Sequence, residues 1–161
     1  MKTRIGITGH QRIPAAAYGY VERGLSEFLR SYEGLGKEVT GVSCLAYGAD
    51  QLFASAMLKG GHGLEAIIPC DHYETTFDDA GLREYRSLLG RASNVLKLDY
   101  PQPCEDAFLA AGLQVVDRCD VLVAFWDGLP AAGKGGTGDV VDYARQQGKP
   151  VTIIWPEGVV H

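Results

Sequence analysis

Several features are missing from this chain, and each absence narrows what it does. Nowhere in its 161 residues is there a run approaching 18 consecutive apolar side chains, so no membrane span is expected. The opening MKTRIGITGH has neither an apolar core of signal-peptide length nor a small-residue cleavage site. The four cysteines, Cys44, Cys70, Cys104 and Cys119, lie far apart and form no C-x-x-C pair. A cytoplasmic protein with reduced thiols is the expectation, each cysteine serving as a small buried apolar residue. Lysine and arginine form no basic run, and 15 of them stand against 20 acidic residues, a formal net charge of −5. A protein that wraps a nucleic-acid backbone usually carries a basic surplus, so a nucleic-acid partner is not expected. Any anion bound here would be small, held by backbone N–H groups and one or two cations.

Two phosphate-binding signatures are also incomplete. The first loop has Gly6-x-x-Gly9 but not the full G-x-G-x-x-G, and the glycine run near Gly135 is not followed by G-K-[ST]. Asp71 and His72 are sequence neighbours with no evident third ligand, so neither a metal nor a cofactor is expected.

What is present is alternation. Short β-rich runs (Thr3–Gly9, Lys37–Cys44, 63–69, 93–99, Asp120–Trp126 and 149–155) alternate with amphipathic ones. Residues from Pro14 to about Tyr32, for example, place Val21, Leu25, Phe28 and Leu29 at helical spacing. DVLVAFW is almost wholly apolar, as suits a strand covered on both faces. The residues after Pro156 read as a short tail. The expected fold is a single α/β domain over residues 1–161, Rossmann-like and doubly wound, with a mainly parallel sheet of about six strands. Ligands in such folds bind beyond the carboxyl ends of the strands. The unusual residues lie in the loops at that edge.

In GITGHQR, Gly9 permits close backbone approach, Arg12 can grip a phosphate, and His10 is a hydrogen-bonded loop histidine or a ligand contact. In LAYGADQ, Gly48 and Asp50 open a helix. Asp50 is either a favourable first-turn charge or a contact to a ribose or phosphate. Tyr73 or Trp126 could flank a base, and Asp127 a ribose hydroxyl. Gly135, Gly136, Thr137 and Gly138 offer N–H donors at a helix start, with no side-chain bulk in the way of a phosphate.

GITGHQR, LAYGADQLFA, DVLVAFWDG and GGTGDVVDYA together resemble the SLOG superfamily. These Rossmann-like proteins include the Lonely Guy phosphoribohydrolases, the DNA-processing protein A family and nucleotide-sensing domains of bacterial defence proteins. The resemblance covers nearly the whole chain and is greatest to a bacterial branch with a G-H-R-like first loop and a G-A-D second loop. It implies a nucleotide-binding domain, a nucleotide-like small molecule as partner, and a possible homodimer. Lonely Guy enzymes carry P-G-G-x-G-T-x-x-E. Gly135, Gly136 and Gly138 match its glycines. Asp139 stands at the threonine, Asp142 at the catalytic glutamate and Lys134 at the proline. The arginine those enzymes use would fall near Ala111, where there is none. The resemblance therefore implies binding or sensing of a nucleotide-derived phosphate. The alternative is hydrolysis or transfer at a nucleotide N-glycosidic bond, with Asp142 or Asp139 as the carboxylate.

Overall fold

Residues 2–130 and 136–161 are described by the computed structural model. Six parallel strands form one sheet: β1 (Lys2–Gly9), β2 (Glu38–Ser43), β3 (Gly63–Ile68), β4 (Asn94–Lys97), β5 (Val121–Phe125) and β6 (Val151–Ile153), in the order β4-β3-β2-β1-β5-β6. Five α-helices connect them: α1 (Ala15–Glu33), α2 (Ala49–Lys59), α3 (Asp79–Gly90), α4 (Glu105–Arg118) and α5 (Thr137–Gln146). This is the α/β, Rossmann-like architecture expected from the alternation.

The two-residue period of the strands sorts the core into layers. Ile5 and Ile7 of β1, with Val121, Val123 and Phe125 of β5, pack against α1 and α2 through Val21, Leu25, Phe53 and Met57. Leu122, one residue out of phase, faces Ala111, Val115, Val140 and Ala144 of α4 and α5. With both faces covered, the central strands need apolar residues at nearly every position. That accounts for the continuous run in β5.

The chain builds outward from β1 through β2 and β3 to β4, then returns through α4 to place β5 on the other side of β1. The direction of winding therefore reverses between β1 and β5. At this point two neighbouring loops separate and leave a crevice at the carboxyl edge.

Two segments need more than local patterning to explain. Helix α3 starts at Asp79, three residues ahead of its first large apolar residue, Leu82, because the Asp78 side chain accepts a hydrogen bond from Gly81 N at 2.8 Å and caps the turn. The residues after Pro156 are not a free tail. They fold back, with the Trp155 indole donating to Val159 O at 2.7 Å and His161 returning to the loop after β5.

Close approach of loops fixes the crevice. Gly48 has φ +85°, and a Cβ there would lie 2.2 Å from Gln11 O and 2.7 Å from His10 O. Gly9 is equally crowded, since its Cβ would meet Ala49 Cβ at 2.5 Å. Replacement of Gly48 by Ala should therefore destabilise the fold by about 3 kcal/mol, through both the left-handed angle and the collision with main chain. Gly36 shares the positive φ, at +65°, but has nothing within 4 Å. Gly36→Ala should cost only about 1 kcal/mol. Urea unfolding of the two variants separates the contributions, and equal losses would show that the contact with Gln11 exerts no strain.

Candidate functional site

A cleft of about 740 Å³ opens at the switch point, within the range typical of small-molecule sites. The end of β1 supplies Gly9, the loop after it His10 and Arg12, and the first turn of α2 supplies Asp50. Tyr73 comes from the short 3₁₀ turn Tyr73–Thr76, Trp126 from the end of β5, and Gly136, Thr137 and Gly138 from the start of α5. Phe108 and Gly112 of α4 form part of the wall.

The start of α5 carries a glycine at its N-cap. Gly136 is in extended conformation, φ −69° and ψ 171°, and brings no capping side chain of its own. Glycine here is not needed for a left-handed angle. Its effect is to add no side chain of its own beside the first helical N–H groups, at the positive end of the helix dipole. Arg12 is exposed at the cleft rim and makes no hydrogen bond or ion pair with another described residue. Gly135 lies outside the described residues.

Asp50 has a different environment. It is partly buried, and its Oδ2 accepts a hydrogen bond from Ala46 N at 3.3 Å. Burial outweighs that bond and pushes its carboxyl up to about 7. The neighbouring Cys44 thiol and Tyr73 phenol are also pushed upward, chiefly by burial and further by Asp50. The segment around them is tightly held. Leu45 takes a left-handed φ of 59°. Its N–H donates to Ser43 Oγ at 3.0 Å, and its carbonyl accepts from Gln51 Nε2 at 3.2 Å. Tyr73 does not present a free ring to the cleft. It is 5% exposed, donates to Cys44 O at 3.1 Å, and packs edge-on against Phe77 and Tyr85. The Trp126 indole N–H is bound to Leu129 O at 2.8 Å.

Asp127 faces neither the cleft nor solvent; its side chain is 1% exposed and turns toward two histidines. Asp127 N donates to His10 Nε2 at 3.1 Å, which places the His10 proton on Nδ1. The Asp127 Oδ2 accepts from His161 twice, at 2.7 Å from Nδ1 and 3.3 Å from the backbone N–H. Oδ1 accepts from Leu129 N at 3.0 Å. Burial works against this charge, but the His161 ring, the N–H groups of Leu129 and His161, and the nearby His10 together hold the carboxyl down at about 2. His10 is itself held below the usual imidazole range, mainly by burial and then by His161, against the pull of Asp127. The two imidazoles stack with centroids 3.5 Å apart and planes 8° from parallel.

The donor atoms of His10, Asp127 and His161 lie within 4.8 Å of one another, close enough for three ligands of one cation. Binding an ion would mean displacing the Asp127 N–H from His10 and the proton between His161 and Asp127. No sequence pattern marked His161 or Trp155, because the contacts that bring them to the site, His161 with Asp127 and Trp155 with His10, are distant in sequence.

Gly48 is not a contact of this cleft; its bare Cα fits against the His10–Gln11 backbone instead. Asp139 and Asp142 are exposed on α5 and do not line the cleft, whereas Val140, Val141 and Ala144 take the buried face.

Comparisons with solved structures place this architecture. DNA processing protein A from Streptococcus pneumoniae superposes with a TM-score of 0.67 at 20% identity, over 94% of this chain and 50% of that one. DNA processing protein A from Helicobacter pylori, described for its single-stranded DNA binding mode, gives 0.65 at 18%, over 94% and 64%. TM1055, a structural-genomics target, gives 0.57 at 16%, over 92% and 72%. The chain thus spans half to just under two thirds of the two DNA processing proteins. No protein-family model matches the chain. No curated protein matches it in sequence. The likenesses show a shared α/β, Rossmann-like fold. Among the described residues no helix is long and apolar enough to cross a membrane.

The two buried carboxylates should pull stability in opposite directions with pH. Asp127, depressed from 3.8 to about 2, contributes stability present above pH 4 and lost as pH falls through 2, about 2 kcal/mol in all. Asp50, raised from 3.8 to about 7, destabilises the fold as pH rises from 4 through 7, by up to about 4 kcal/mol. Urea unfolding from pH 2 to 8 should show the acid limb flattened in Asp127→Asn and the neutral limb flattened in Asp50→Asn. An Asp127→Asn profile parallel to wild type would disprove the first assignment.

Proposed function

We propose that this protein binds or senses a nucleotide, or a phosphate ligand derived from one, in the cleft between β1 and β5. The observation that carries this reading is the glycine-capped N-terminus of α5, which lines the same cleft as Arg12. Backbone N–H groups, the helix dipole and an unpaired guanidinium are what a small phosphate requires. They also reconcile anion binding with a net charge of −5, since the positive potential is local. In this reading Gly9, Arg12, Gly136, Thr137 and Gly138 surround the phosphate. The rest of the cleft, with Asp50, Tyr73 and Trp126 on its wall, takes the remainder of the ligand. A bacterial, cytoplasmic homodimer fits the same reading.

One observation favours a second function, cleavage or transfer at a nucleotide N-glycosidic bond. Asp50 brings to the cleft a carboxyl that titrates at about 7, the range in which a side chain serves as general acid or base near neutrality. On this reading Asp50 takes the role that the Lonely Guy resemblance gives Asp142, which stays exposed on α5.

Because the Helicobacter neighbour is described as binding single-stranded DNA, a short oligonucleotide belongs in the ligand panel beside mononucleotides and ribose 5-phosphate. Calorimetry should give measurable binding for at least one mononucleotide. Arg12→Glu should weaken it by about tenfold or more, and Asp142→Asn should leave it unchanged. If no phosphate-bearing compound binds, the reading fails. If the oligonucleotide alone binds, the partner is nucleic acid. Release of free base from a bound nucleotide, lost in Asp50→Asn with affinity retained, would establish the enzyme.

A further inference from the structure

The proposed phosphate site accounts for part of the cleft. A nitrogen heterocycle, the imidazole of His161, also lines it. It lies flat on the His10 ring, 3.5 Å between centroids, and the edge of Trp155 abuts His10 at 5.1 Å and 80°. Its Nδ1–H and its own backbone N–H both point at one carboxylate oxygen, Asp127 Oδ2, at 2.7 and 3.3 Å. A flat ring stacked on one partner, with N–H donors on its edge meeting an acceptor, is how proteins hold a nucleobase.

We propose that His161 occupies a nucleobase subsite, that guanine is the base this subsite fits, and that the returning 155–161 segment competes with the nucleotide for it. The inference rests on the nucleotide-binding reading and names the base for it.

The choice of base follows from the acceptor. Once His161 leaves, Oδ2 loses two donors together, while Oδ1 keeps the N–H of Leu129. Guanine carries two adjacent donors on one edge, the ring N1–H and the exocyclic amino group. Both can meet an ionised carboxylate in charge-assisted hydrogen bonds. Adenine sets a ring-nitrogen lone pair beside its amino group. Uracil flanks its N–H with two carbonyls. Either would turn an acceptor toward Asp127. A site built to receive two donors discriminates strongly against a ring lacking one, because a buried charge is then left short of a partner.

His10 completes the platform. Its Nε2 is tied down by the Asp127 N–H, so the ring cannot swing away when His161 departs. His161 is far less fixed, with its side chain 40% exposed. The mobile member of the stack is therefore the one that a ligand can replace. The wild-type protein has to release this contact before a base can enter, which lowers its apparent affinity.

Calorimetry with EDTA in every solution tests this with guanosine, adenosine and uridine monophosphates and ribose 5-phosphate, on wild type and His161→Ala. His161→Ala should bind guanosine monophosphate about tenfold more tightly than wild type, with ribose 5-phosphate unchanged. Adding Asp127→Asn to that variant should remove the preference for guanine. Guanosine monophosphate that binds His161→Ala no better than wild type, or no better than adenosine monophosphate, would overturn the proposal. If ribose 5-phosphate still binds, the phosphate-site reading survives that failure; if nothing binds, both fall. A measurement on the unaltered chain guards against a misfolded variant. Guanosine monophosphate should shift the His161 ring resonances in the NMR spectrum toward those of a free imidazole, and unshifted resonances at saturation would count against displacement.

Discussion

His10 ties together the parts of this molecule that form the cleft. Its backbone N–H donates to Phe125 O at 3.2 Å, joining the first loop to β5, and its carbonyl accepts from Ala49 N at 3.1 Å, joining the same loop to α2. Its ring accepts from Asp127 N and carries His161 on its face. Segments far apart in sequence thus meet at one loop residue. The arrangement works only because the residues beside it are small. Gly9 lets the β1 end pass Ala49, and Gly48 lets α2 begin directly beneath the His10–Gln11 backbone. A larger side chain at either place would push the loops apart and change the shape of the crevice, not merely its lining.

The same crowding separates the two carboxylates electrostatically. The Asp127 side chain is only 1% exposed, yet it stays ionised because four donors or positive partners converge on it. Asp50 has one N–H donor from Ala46 and burial is left largely uncompensated. Burial alone therefore does not set the protonation state here; the number of donors does. One carboxylate serves as a fixed acceptor that holds segments together. The other lines the cleft with a proton that can be exchanged near neutral pH.

The sheet was legible in the sequence because its signal is local: β-rich runs and amphipathic runs alternate, and each strand's pattern lies within a few residues. The loops that meet at the cleft were legible for a related reason, since glycines and polar residues gather where strands end. What the sequence hid is long-range. Nothing near His161 points to Asp127, 34 residues earlier, and nothing near Gly48 shows that Gln11 will pass 2.2 Å from a Cβ placed there. The placement of Asp139 and Asp142 could have been read. Val140, Val141 and Ala144 mark the buried stripe of α5 by helical periodicity, which turns both aspartates outward.

Asp50 and a bound phosphate would share one cleft in a protein of net charge −5. When protonated, Asp50 adds no charge and can donate a hydrogen bond. When ionised, it would oppose an anion held by Arg12 and the α5 N-terminus. Linkage makes this reciprocal: a phosphate bound nearby raises the carboxyl further, and ionisation of the carboxyl weakens the phosphate. With the carboxyl already at about 7 before any ligand arrives, such coupling would operate at neutral pH rather than in acid. Binding of a dianion and retention of a proton on Asp50 would then be one process. A proton held beside a bound nucleotide is also what an acid catalyst of glycosidic cleavage needs. The sensing and catalytic readings therefore share a single physical starting point and diverge only in whether the proton is transferred.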